Sequence, residues 1–197
     1  MRRALDRLYE LSGLIAAGFL ILICAVVTAQ VLLNTIDRLA SLFTGSAIGL
    51  VIPSYSTFAG LFLAASTFFA LPYAFRRGAH IRVSLVLQAL PPTAQRGCDA
   101  AAALIATLFS AFFTWYMGGL VQESLQFGDV TSGIVPVPLW IPQSAMTVGL
   151  GVLTVACLDD FLTLVRGGDA AFNEGGQQLL KQADEGEIPR DVEDDGR

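Results

Sequence analysis

The chain is built from long apolar runs separated by short polar breaks. Uncharged stretches extend from Leu11 to Ile36, Leu39 to Phe75, Ala100 to Gln122 and Val130 to Leu158. Each exceeds the ~20 residues that carry an α-helix across ~30 Å of hydrocarbon. The pattern predicts an all-α, polytopic integral membrane protein with four transmembrane helices at about 11–33, 53–75, 100–120 and 139–165. The membrane domain then covers 11–165, flanked by a short N-terminal segment (1–10) and a tail (166–197).

Finer spacing adds detail. In span one, Gly13, Ala17, Ala25 and Ala29 recur at multiples of four, a strip of small residues for close helix approach. Beyond it, Leu32, Ile36, Leu39 and Phe43 repeat at helical spacing with Asp37, Arg38 and Ser41 opposite. That predicts a short interfacial helix on the membrane surface, ended by Gly45 and Gly49. Pro53 suits the first turn of span two, and Pro72 kinks or ends that span. Val83, Val86, Leu87 and Leu90 predict a second interfacial helix, stopped by Pro91-Pro92, with Thr93 capping the approach to span three. In span three Ala102, Ala106, Ser110, Thr114 and Gly118 form an unbroken i+4 strip, which reads as a packing face or, alternatively, a ligand pathway.

Composition changes the picture in one respect. Only 15% of the residues are charged and 54% are apolar. Soluble domains carry about a quarter charged residues, so a water-soluble fold and a nucleic-acid binder are both excluded. The net charge of −5 belongs to the tail: residues 166–197 hold nine acids against four bases, and the rest balances. That acidic, Gly- and Gln-rich tail predicts disorder. Eleven of the twelve cations fall at the N-terminus, between spans two and three, or after span four. The positive-inside rule then predicts an N-in/C-in topology. Tyr9, Tyr55, Tyr73, Trp115, Tyr116 and Trp140 fall near predicted span ends, as belt residues do. Val27-Thr28-Ala29 resembles a signal cleavage site, but the apolar run continues past it, so the first span reads as uncleaved.

Candidate chemistry is sparse. Cys24, Cys98 and Cys157 have no metal-ligand spacing, and they read as small apolar packing residues. His80 is the only histidine, so it cannot supply paired haem ligands. No phosphate loop, metalloprotease motif or nucleophilic triad is present, and no catalytic, cofactor or metal residue is assigned. Proton relays and carriers need ionisable groups at depth, and the centres of these spans have none.

Two motifs go further. The first is Leu71-Pro72-Tyr73-Ala74-Phe75-Arg76-Arg77-Gly78-Ala79-His80-Ile81-Arg82-Val83. It resembles the R-x-G-x-H-I-R-V signature of the small permease subunit of tripartite ATP-independent periplasmic (TRAP) transporters, the DctQ-like family. The second, Gly128-Asp129-Val130-Thr131-Ser132-Gly133-Ile134-Val135-Pro136-Val137-Pro138-Leu139-Trp140-Ile141-Pro142, resembles that family's loop into the last span. The resemblance covers about 11–165. It departs at Ser54, Tyr55, Ser56 and Thr57, where many members have a Trp and paired acids, at Ser84, and in a long first outer loop. It implies a scaffold subunit without cofactor in a bacterial inner membrane. Its implied partners are a large permease subunit with the sodium and substrate sites, and a periplasmic solute-binding protein for an organic anion. The small subunit of a tripartite tricarboxylate transporter and a non-transport membrane adaptor are the alternatives.

Arg76, Arg77, Gly78, His80 and Arg82 form one candidate interface. It either fixes topology and anchors on lipid headgroups, contacts the large subunit, or binds a regulatory ligand. Pro136, Pro138, Trp140 and Pro142 form the other, as a rigid lead-in to span four or as a docking surface.

Overall fold

A computed structural model describes residues 2–46, 48–76 and 92–166. The described residues form four helices: α1 (Arg2–Thr44), α2 (Tyr55–Arg76), α3 (Pro92–Phe127) and α4 (Trp140–Val165). All four are long and apolar enough to cross a membrane. The chain is a multi-pass, all-helical membrane protein. Within the described residues, strand-like pairing is limited to one bridge between Val130 and Pro138.

The helices pack in the order α1, α2, α4, α3. α2 and α4 are central; α1 and α3 each bury one seam and expose the rest. On α1 that seam is Tyr9, Ser12, Ala16, Phe19, Ile23, Val26 and Gln30, at steps of three and four. The strip expected at Gly13, Ala17, Ala25 and Ala29 is not the seam, since Ala17 and Ala25 are exposed. Strict i+4 steps advance about 40° each around a helix of 3.6 residues per turn, so such a strip drifts off any fixed neighbour. Gly13 alone makes a tight approach. A Cβ there would lie 2.8 Å from Cγ of Tyr73.

Small hydroxyls lock α1 to α2. Ser66 Oγ donates to the carbonyl of Ala16 (3.0 Å), and Ser12 Oγ donates to that of Phe69. Phe19 stacks near Phe62 and Phe69, with centroids 5.9 and 6.2 Å away. Between α3 and α4 the hydroxyls of Thr114 and Thr154 meet at 3.1 Å.

Several boundaries differ from the sequence expectation. α1 is one continuous helix through Thr44, so Leu32, Ile36, Leu39 and Phe43 belong to that helix rather than forming a separate interfacial one. Gly45 does end it, at φ +75°, and Gly49 follows at φ +79°. Pro53 lies in a turn before α2 instead of in its first turn, and Ser54 takes φ +59°. Pro72 does not end α2, which runs on to Arg76. α3 begins at Pro92, where a missing N–H costs nothing, and continues to Phe127. Trp115 and Tyr116 are therefore about three turns inside that end, not at it. The expected helix over 81–90 and the tail beyond 166 lie outside the described residues.

Candidate functional site

The most structured polar cluster sits at the end of the bundle that carries the N-terminus of α1 and the C-termini of α2 and α4. Arg76 is the last residue of α2, where a cation complements the helix dipole. Its Nη1 donates to Asp160 Oδ1 at 2.9 Å and lies 3.3 Å from Asp159 Oδ2, while Nη2 is 3.4 Å from Asp6 Oδ1. The guanidinium carbon also lies 5.4 Å from the ring centroid of Tyr9, an attractive cation–π arrangement. Three helices are thereby joined through one side chain.

Burial ranks these contacts. Asp160 and Tyr9 are each 1% exposed, whereas the Asp6 side chain is half exposed. The Asp6 pair is solvent-screened and adds little. Asp160 is different: a buried carboxylate is tolerated only when paired, so Arg76 and Asp160 depend on each other. The sequence reading missed Asp6, Tyr9, Asp159 and Asp160. The signal was present as adjacent acids ending span four on the same side as the adjacent arginines ending span two.

Of the residues expected at this end, only Arg76 lies among those described; Arg77, Gly78, His80 and Arg82 lie outside them. Arg76 is spent on contacts within the chain. Its surroundings hold three carboxylates, which would repel a lipid phosphate.

At the opposite end, the second motif folds as a tight loop. Val130 pairs with Pro138, Thr131 N donates to Val137 O (2.9 Å), and Leu139 N donates to Asp129 O (2.9 Å). Ser54 Oγ accepts from Val135 N at 3.0 Å, tying this loop to the start of α2. The positive φ of Ser54 places its hydroxyl there, and Gly133 leaves room, since a Cβ would meet Ser54 Oγ at 3.0 Å. Pro136 is exposed, Pro138 half-buried, Trp140 exposed at the start of α4, and Pro142 buried in its first turn.

The first loop is held separately. Asp37 Oδ1 accepts from Ile48 N and Gly49 N (2.7 and 2.8 Å), and Gln30 Oε1 accepts from Ile52 N (2.8 Å). Residues 48–52 thus run back along α1.

The α3 strip is divided by the packing. Ser110 is buried and Thr114 half-buried against α4; Ala106 is half-buried and Ala102 exposed. A Cβ on Gly118 would meet nothing within 4 Å. The described residues contain no group of three or more His, Cys, Asp or Glu side chains placed to hold a metal ion.

The geometry is that of a packed membrane subunit in which the charges of α2 and α4 are paired at one end. The family profile described as "Tripartite ATP-independent periplasmic transporters, DctQ component" matches residues 23–167, well over half of the chain. The chain belongs to the DctQ family. It is therefore the small permease component of a TRAP transporter. No curated protein matches it. The DctQ match spans α2, α3 and α4 whole and the larger part of α1, so it takes in Arg76, Asp159 and Asp160 together with the second loop.

Proposed function

We propose that this DctQ chain is a scaffold in the bacterial inner membrane, with both termini cytoplasmic. It supports sodium-coupled uptake of an organic anion by a large permease subunit and a periplasmic solute-binding protein. It performs no catalysis and holds no cofactor. The observation that carries this reading is the use made of its charges. Secondary transporters place ion and substrate groups near the bilayer midplane, on interrupted helices. Here the charges of α2 and α4 are Arg76, Asp159 and Asp160, gathered at one end and bound to one another.

The basic segment Arg77, Gly78, His80 and Arg82 follows directly from the Arg76 pin. On this topology it meets the anionic cytoplasmic leaflet, where each cation gains ~1 kcal/mol, or the permease beside it. The loop carrying Pro136, Pro138, Trp140 and Pro142 then faces the periplasm.

Assembly tests the proposal. An affinity-tagged copy expressed with the large permease subunit of the same genome should draw that subunit through purification in constant ratio. Recovery of the tagged chain alone, from membranes containing both, would overturn it.

A further inference from the structure

α1 is too long for the bundle it belongs to. Ser12 and Ala16 meet Phe69 and Ser66, and Gln30 meets Ile52, so Gln30 stands level with the start of α2. From Tyr9, beside the Arg76 pin, to Gln30 is roughly 30 Å at 1.5 Å per residue, one hydrocarbon thickness. On α4 the distance from Asp160 to Trp140 is about the same. The last part of α1, residues 31–44, therefore outruns the hydrocarbon core by roughly 20 Å.

This projection is amphipathic. Gln30, Asn34, Asp37 and Ser41 line one side, and the returning loop binds to Gln30 and Asp37 there. Leu32, Ile36, Leu39 and Phe43 lie within about 60° of one another on the opposite side, at 100° per residue. They are 58, 51, 51 and 88% exposed.

Lipid does not cover the outer part of this strip, Leu39 and Phe43. To lie on the membrane the segment would have to bend away from the span, and sharp bends arise at Pro, Gly or π-bulges. Between Gly18 and Gly45 there is no Gly or Pro, and the helix is α throughout. Even a tilt of ~40°, the upper end of the usual range, leaves Leu39 and Phe43 outside the hydrocarbon. Continuity identifies the occupant. The same face continues down α1 through exposed Leu14 and Ile21, without a charge. A partner that covers the strip and follows this face is membrane-embedded.

We infer that Leu32, Ile36, Leu39 and Phe43 form a docking strip for the large permease subunit, above the leaflet on the side away from the termini. The inference rests on the scaffold reading.

Single cysteines test it in a background where Cys24, Cys98 and Cys157 are serine. L39C and F43C, in lipid nanodiscs open on both faces, should react with a membrane-impermeant maleimide when the small subunit is alone. They should be protected at least tenfold in the complex with the permease. Sluggish labelling in the isolated subunit would mean lipid covers the strip, and equal labelling in both states would mean nothing docks there; either overturns the inference. A complementary pair separates the two levels. L39Q/F43Q alters exposed side chains, so it should insert normally yet lose most of the co-purifying permease. Retention of the permease by that variant overturns the strip alone. Failure of the unaltered chain to capture the permease overturns the scaffold reading and the strip with it.

Discussion

Gly149 of α4 is pressed against the backbone carbonyl of Phe68 on α2: a Cβ on Gly149 would lie 2.7 Å from both the carbon and the oxygen. Phe68 is four residues before Pro72, and proline has no N–H to return to that carbonyl. One helical hydrogen bond of α2 is therefore absent where Gly149 packs against it. The next carbonyl, that of Phe69, accepts from Ser12 of α1. Pro72 thus sits at the junction of three helices, and it is itself buried.

Gly149→Ala tests this contact. The methyl group has no room against backbone, so α2 and α4 must separate, an overpacking cost of about 1–3 kcal/mol. Thermal unfolding in detergent should show a lowered midpoint for G149A. Gly60→Ala, where a Cβ meets nothing within 4 Å, should leave it unchanged or slightly raised.

The Arg76 pin makes a second prediction. Removing one partner of a buried pair costs about 3–5 kcal/mol, and Asp160 is the buried partner. Arg76→Gln should therefore destabilise strongly, Asp160→Asn nearly as much, and Asp6→Asn by less than about 1 kcal/mol because it is solvent-screened. The double change R76M/D160L should be milder than R76Q, since it leaves neither charge stranded. Thermal midpoints of the four purified variants decide the order.

The basic segment makes a third. Replacing Arg77, His80 and Arg82 together by Ala should reduce co-purification of the large subunit more than replacing Arg2, Arg3 and Arg7. On the proposed topology both changes remove basic groups from the cytoplasmic side, so a role in topology alone predicts equal losses. Quantifying the permease recovered with each triple variant distinguishes the two.

The fold was legible in the sequence because hydrocarbon imposes a simple rule: uncharged runs longer than one bilayer thickness become helices. That located all four helices; Gly45, expected to end a separate interfacial helix, ends α1 instead. The packing was less legible. Small residues at i+4 drew attention to Ala17 and Ala25, yet a long contact between helices follows alternating threes and fours, through Ser12, Ala16 and Phe19. Nor did local pattern say that α1 continues through Thr44, because an amphipathic surface helix and a projecting one share the same periodicity. In the site, Arg76 read as an anchor because its neighbours in sequence are basic. Its neighbours in space are Asp159, Asp160 and Asp6, from two other helices, and no local spacing contains that pairing. The cue was complementary charge at the ends of spans that emerge on one side.

Transport by defined mixtures tests the scaffold account most directly. Proteoliposomes carrying a sodium gradient would be prepared with this chain alone, with the large permease alone, and with both, each with the binding protein and its organic-anion ligand outside. The account predicts sodium-driven uptake with both membrane subunits and none with this chain alone. Uptake by this chain alone would contradict it.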